Sequence, residues 1–235
     1  MKQLIKFFSD KQHLETVLDV GTGPGNFIKV LKEIFPKAKI TGVDPDEESL
    51  ASATEKFPDA VFRKMNGEQL GFEDNTFDVA SISMVLHHLS DVKQTLVEMK
   101  RVIKPDGWLI VNELFSDDQN PAQEVHKQIH HFRSKIDRMN GIIHNPAFTR
   151  KQIVEQIEGS GLNIVLKFEF SNPKEEISEE DIAERKSKLW TALESMEVRD
   201  EYEELKAEIP IIEAALDQHG FEMSSRLVCV AQSKK

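Results

Sequence analysis

Short apolar runs rich in β-forming residues alternate along the chain with segments whose apolar positions recur at steps of three and four. Five runs predict strands in the first half, at Thr16–Val20, Lys39–Asp44, 60–65, 77–85 and 108–114, and two more follow at Leu162–Phe170 and 226–231. Each is brief and apolar, as strands covered on both faces should be. Such strands separated by helical segments signal βαβ units around a parallel sheet, so the pattern predicts an α/β fold.

The helical segments carry their own start and stop signals. After the first strand, Phe27, Ile28, Leu31, Ile34 and Phe35 recur at helical spacing. Ser90 is placed to cap a helix with the stripe Val92, Leu96, Met99 and Ile103, and Lys104-Pro-Asp-Gly107 is placed to stop it. Thr149 and Gln152 form a capping box ahead of Ile153 and Ile157, with Gly161 as the break.

Two stretches stand outside the alternation. Within residues 118–146, Asn120-Pro-Ala-Gln123 reads as a helix start, and Val125, Ile129, Phe132, Ile136 and Met139 make one amphipathic helix ending near Asn140-Gly141. Residues 174–220 form the second. Between Lys174 and Lys206 they hold 12 acidic and 6 basic side chains, yet Ile182, Leu189, Leu193 and Met196, then Tyr202, Leu205 and Ile209, keep helical steps. A solvated helical pair is expected rather than disorder, kinked or restarted at Pro210. The chain reads as a single domain, 1–235, with a helical lid at 118–146 and an acidic helical insertion at 174–220.

Composition narrows the function. With 235 residues and 39% hydrophobic content the chain can bury a sizeable core. A net charge of −11 argues against a nucleic-acid partner, which would call for a clustered basic face. The single cysteine, Cys229, lies in an apolar run and rules out an intramolecular disulfide, so it reads as a core residue in a reducing compartment. No window approaches 18 consecutive apolar residues and the first eight residues lack a signal-peptide core, so a cytoplasmic protein without a membrane partner is expected.

The candidate chemistry begins at Asp19. The first strand ends in Asp19-Val20 and runs through Gly21-Thr-Gly-Pro-Gly25 into a helix. Glycines there let backbone groups approach a ligand closely. Asp44 ends the next strand and can accept both hydrogen bonds of a ribose diol, while Asp46 is better placed to cap the following helix. These features fit a nicotinamide dinucleotide or S-adenosylmethionine. The dinucleotide fingerprint GxGxxG is not met, because the third glycine arrives one residue early, and the charge of Asp19 would oppose a pyrophosphate. A ligand carrying an ammonium and a sulfonium tolerates that charge.

Six motifs in order, Val17-Leu-Asp-Val-Gly-Thr-Gly-Pro-Gly25, Gly42-Val-Asp44, Asn66-Gly-Glu68, Asn75-Thr-Phe-Asp78, Leu86-His-His-Leu89 and Arg101-Val-Ile-Lys-Pro-Asp-Gly107, resemble the class I S-adenosylmethionine-dependent methyltransferases. The resemblance is to their small-molecule branch, which includes the ubiquinone and menaquinone biosynthesis type. It implies a Rossmann-like, doubly wound, seven-stranded sheet, mostly parallel with the last strand antiparallel. It further implies that S-adenosylmethionine is the cofactor, held at its methionine end by backbone groups of Gly21 and Gly23, with Asp19 orienting the loop. Asp44 is implied on the ribose, Pro45 on the adenine face, Asn66 and the Gly67 N–H on the adenine edge, and Ser83 and Met84 on the methyl-transfer face. Asn66 stands where the family often has Asp.

Methyl transfer from a sulfonium is an in-line displacement that needs a base only if the acceptor must lose a proton. His88, then His87, are the nearest titratable candidates; Glu113 is a second base candidate or equally a buried structural group. His126 and His130, four apart on one helix face, could share a metal, but no further ligand completes a set in sequence and none is expected. The 118–146 lid is expected to cover a small-molecule acceptor pocket through Phe132, Ile136 and Met139. A nicotinamide-dependent oxidoreductase and a non-catalytic ligand-binding protein remain the rival readings.

Overall fold

The computed structural model describes residues 1–11, 13–172 and 177–233. Seven strands form one sheet: β1 (Thr16–Val20), β2 (Lys39–Asp44), β3 (Val61–Lys64), β4 (Phe77–Ser83), β5 (Ile103–Leu114), β6 (Leu162–Phe170) and β7 (Arg226–Ser233). Their order is β3-β2-β1-β4-β5-β7-β6. The first five are parallel and β7 runs antiparallel to both its neighbours, as the resemblance implied. The central strands are buried on both faces, whereas β3 is largely exposed and β6 alternates, because both are edges.

Helices α2 (Ile28–Ile34), α3 (Glu47–Lys56), α4 (Val92–Val102) and α6 (Arg150–Gly159) link the strands. Val92, Leu96, Met99 and Val102 of α4 are buried in the larger core, each worth roughly 1.5–3 kcal/mol of transfer free energy. The cap of α4 is Asp91, whose carboxylate accepts from the Gln94 N–H, and not Ser90, whose hydroxyl bonds to Glu68 instead. Ile103 and the Lys104-Pro-Asp-Gly107 run belong to β5 rather than to a helix stop. Thr149 and Gln152 do form the capping box of α6. An N-terminal helix, α1 (Lys2–Phe8), was not signalled by punctuation; it buries Leu4 and Phe8, and Phe8 packs edge-on against Phe35 and Trp108.

The two insertions meet in space. Helix α5 (Pro121–Met139), with its Asn120–Gln123 capping box, packs on α7 (Glu179–Glu194) and α8 (Tyr202–His219). Together they enclose a separate small core that includes Phe132, Ile136, Leu189, Leu193, Leu205, Ile209 and Leu216. The acidic pair is therefore solvated on one face only. Pro210 lies inside α8, which runs through it without a restart. The expectations for Lys174 and Glu175 fall outside the described residues.

The Asn75-Thr-Phe-Asp78 motif finds a structural role. One oxygen of Asp78 accepts from the Glu15 N–H, the Thr16 N–H and the Thr16 hydroxyl at 2.7–3.0 Å, and the other accepts from Lys104 at 2.7 Å, tying β4 to its neighbours on both sides. Burial pushes the carboxyl up, but the bonds from Lys104 and Thr16 outweigh it and leave the group below its ordinary value of 3.8. The folded state thus binds the proton less well than the unfolded chain. The stabilisation is fully present above the unfolded value and fades as pH falls through the folded one. Asp78→Asn should cost about 2 kcal/mol in urea unfolding at pH 7, and the difference from wild type should shrink below about pH 4.

Candidate active site

Strand order reverses at β1, which lies between β2 and β4, and the carboxyl ends of these strands open a cleft there. The loop leaving β1 is held open by three glycines in the left-handed region, Gly21 at φ +68°, Gly23 at +50° and Gly25 at +84°. The amides of Gly21 and Thr22 donate to the Val43 carbonyl at 2.8 and 3.0 Å, and the Gly23 amide donates to Asp44 at 2.8 Å. The loop's N–H groups are thus bound to β2 and its end, leaving the Gly21 and Gly23 carbonyls to meet a donor. Asp44 also accepts from the Asp46 N–H, and Asp46 caps α3 by accepting from Ser49.

A cavity of about 520 Å³ fills the cleft. It is lined by Gly21, Gly23, Asp44, Pro45, Asn66, Gly67 and Met84 among the expected residues, and also by His88 and Ile143. Ser83 is not on its wall; the Ser83 hydroxyl accepts from the Asn112 side chain at 2.8 Å. Met84 takes up φ +60°, a costly conformation for a side-chain-bearing residue, and turns the chain out of β4 over the cavity. Asn66 accepts from the Glu68 N–H through its side-chain oxygen, which keeps one lone pair free.

Asp19 lies beneath this wall, 1% exposed. One oxygen accepts from the Ser81 hydroxyl at 2.6 Å; the other is buried without a partner. Burial raises its pKa to about 6, against the pull of the Ser81 and Thr22 hydroxyls and with a small push from Asp44. A cation is the natural complement to such an oxygen.

The two base candidates part company. Glu113 is buried at the end of β5, and its oxygens accept from the Leu86 N–H at 2.8 Å, the His87 Nδ1 at 2.8 Å and the Leu114 N–H at 3.0 Å. It is not among the residues that line the cavity. His88, on the single 3₁₀ turn Leu86–His88, does face it, but desolvation and the neighbouring His87 and His144 push its pKa down to about 4. Such an imidazole is neutral at working pH and a weak proton acceptor.

Phe132, Ile136 and Met139 do not reach the cavity; they pack toward α7 and α8. The opposite side of α5 and the loop after it supply the site instead. The Asn145 N–H donates to the His87 carbonyl at 2.6 Å and its side chain to that of Leu89 at 3.0 Å, which lays His144 against His88 with ring centroids 4.5 Å apart. His126 bonds to Ser224 rather than to His130. Burial foremost, and facing rings or a nearby arginine second, lower His126 to about 4 and His130 to about 2. The sequence signal for this cluster was numerical: six of the eight histidines lie in residues 87–88 and 126–144.

Comparison with known proteins agrees with this geometry. Residues 18–111 match the family described as a methyltransferase domain. A demethylmenaquinone methyltransferase of Chlorobaculum tepidum is 29% identical over 144 residues, 60% of this chain and 57% of its own length. A ubiquinone/menaquinone biosynthesis C-methyltransferase of Bdellovibrio bacteriovorus is 34% identical over 116 residues, 48% of this chain and 49% of its own. The chain spans about half the length of the curated relatives it matches. A solved S-adenosylmethionine-dependent methyltransferase of Methanosarcina mazei superposes with a TM-score of 0.60 at 18% identity, covering 94% of this chain and 93% of that one. One of Aquifex aeolicus gives 0.53 at 25% identity, covering 71% and 81%. Residues 18–111 thus resemble a methyltransferase domain, within the seven-stranded fold that the solved structures share.

Two of the cavity glycines, Gly21 and Gly23, differ in a testable way. A Cβ on Gly21 would lie 2.5 Å from a Val85 methyl, whereas one on Gly23 meets nothing within 4 Å and enters the cavity. Gly23→Ala should therefore lose only about 1–2 kcal/mol, the cost of its backbone angle. Gly21→Ala should lose clearly more in the same denaturant titration, and Val85→Ala should recover part of that excess.

Proposed function

We propose that this protein is a methyltransferase that takes S-adenosylmethionine into the β1–β4 cleft and methylates O, N or C of a small-molecule acceptor. The observation that carries the reading is the unpartnered oxygen of Asp19, buried beside a glycine loop that leads to a pendant acid at the next strand end. In this reading the Gly21 and Gly23 carbonyls and Asp19 receive the cationic methionine end. Asp44 takes the ribose diol, Pro45 lies on the adenine face, and Asn66 with the Gly67 N–H takes the adenine edge. When bound, S-adenosylmethionine supplies an electrophilic methyl group on a sulfonium. Met84 and His88 border the place where an acceptor must align with it, and Ile143 helps to exclude water there.

A net charge of −11 supports a small acceptor over a nucleic acid. The relatives named for quinone biosynthesis support an acceptor of that general kind, a small ring compound. Cys229 is fully buried and its thiol is pushed up to about 12 by burial, so it stays an inert thiol, and we place the protein in the reducing cytoplasm. Among the described residues no helix is long and apolar enough to cross a membrane.

Titration calorimetry with S-adenosylhomocysteine and with NAD tests the reading: the first should bind and the second should not, and binding of NAD alone would overturn it. The ammonium of the ligand favours ionised Asp19, whose pKa in the empty site is about 6. Affinity should fall about tenfold from pH 7 to pH 5, with proton release on binding in that window seen as a buffer-dependent enthalpy. Asp19→Asn should bind more weakly at pH 7 and lose the pH dependence.

A further inference from the structure

Three histidines from separate segments converge beside the cavity: His87 on the 3₁₀ turn, His130 on α5 and His144 on the loop after it. One ring nitrogen from each lies within 4.8 Å of the others, and the Nε2 atoms of His130 and His144 are already 3.2 Å apart. His87 and His144 are buried and His130 is partly so.

The outer contacts bear on what fills the space between them. His87 Nδ1 is 2.8 Å from Glu113 and His144 Nδ1 is 2.6 Å from Asp137. A carboxylate at Nδ1 fixes the proton there and leaves the Nε2 lone pair free, the arrangement that orients and enriches a metal-bound histidine. Two lone pairs therefore face a common point, and His130 can bring one proton at most. A hydrogen bond between His130 and His144 engages only that pair. A cation at the common point engages all three rings.

We propose that His87, His130 and His144 form a binding site for a divalent transition ion of the zinc class, with its fourth position open toward the acceptor end of the cavity. Three neutral imidazoles suit zinc and its neighbours and give the three-protein-ligand set of a catalytic rather than a structural site. With metal–nitrogen bonds of about 2.0–2.1 Å, tetrahedral ligands lie about 3.4 Å apart. The His130–His144 pair is at that spacing, and the widest separation closes by about 1.4 Å through rotation of the rings. His88 adjoins both: it lines the cavity, and its ring lies 4.2 Å from that of His87 and 4.5 Å from that of His144.

The consequence for substrate rests on the methyltransferase reading. An acceptor hydroxyl or thiol entering the fourth position binds through a lone pair, and the ion acidifies it so that its proton passes to solvent water and the anion remains on the metal. The site then needs no strong side-chain base, in keeping with Glu113, which is buried off the cavity and held by three donors. The acceptor class is a small molecule with an ionisable oxygen or sulfur.

The test uses the full chain, freed of metal by chelation and titrated with Zn²⁺ by calorimetry and with Co²⁺ by visible absorption. One ion per chain and a cobalt spectrum of low-coordinate, nitrogen-bound type are expected. His130→Ala should weaken binding by about a hundredfold or more, and Glu113→Gln by about ten- to a hundredfold through loss of orientation. His126→Ala, on the same helix but bonded to Ser224, should leave it unchanged. Absence of stoichiometric binding, an unchanged affinity in His130→Ala, or an equal loss in His126→Ala would overturn the site. Binding of S-adenosylhomocysteine, measured on the same samples, reports that each variant is folded and separates the two claims. Binding of S-adenosylhomocysteine without metal sinks the ion site alone, and metal binding without S-adenosylhomocysteine sinks the methyltransferase reading alone.

Discussion

The cleft exists because β1 is the strand at which the chain changes direction across the sheet. From β1 the crossovers run outward through β2 to β3, and the next returns past β1 to β4. Two connections leaving opposite sides of one strand end cannot close over it, so a gap is built into the topology. The gap is floored by Asp19 and Val20, walled on one side by the glycine loop bonded to Val43 and Asp44, and on the other by the strained turn at Met84. Substituting any one wall leaves the gap in place, whereas a different strand order would remove it.

Periodicity and the six motifs made this half of the molecule legible before any coordinates. Strand cores, the Asp44 tip, the Asp46 cap and the Thr149 box all depend on interactions within a few residues, which a local pattern records. The errors fall where a longer contact decided. Ser90 matches a cap by type, but Glu68, 22 residues away in sequence, takes its hydroxyl and Asp91 does the capping. Lys104-Pro-Asp-Gly107 carries the punctuation of a helix end, but pairing with β4 begins at Ile103, across from Phe77, and draws the run into β5. Ser83 was assigned to the cavity by motif, and Asn112 on the adjacent strand holds it instead.

The insertions were the least legible part, and the reason is physical. Each shows one apolar stripe, which says that a face is covered but not by what. Because α5 spends Phe132 and Ile136 on α7 and α8, its polar flank is the part left near the cleft, reversing the expected lid. Lys135 bonded to Glu208 at 2.7 Å adds an ionic tie between the same helices. The acidic insertion thus works as a support that holds α5 and the His144 loop in place, and its charge sits on the outer face, where solvation costs least.

Two buried carboxylates, at the ends of β1 and β5 on either side of β4, show how burial alone misleads about function. Asp19 and Glu113 are each 1% exposed and each stands at or near the carboxyl end of a central strand. Glu113 meets three donors and does not line the cavity. Asp19 holds one full hydrogen bond, from the Ser81 hydroxyl, and burial raises its pKa against that bond and the nearby Thr22 hydroxyl. A protein tolerates an unmet buried acceptor at a cost of about 1–3 kcal/mol, and such a cost persists most readily where a bound molecule removes it. The number of donors met, and not depth of burial or residue type, separates Asp19 from the carboxylate that positions His87.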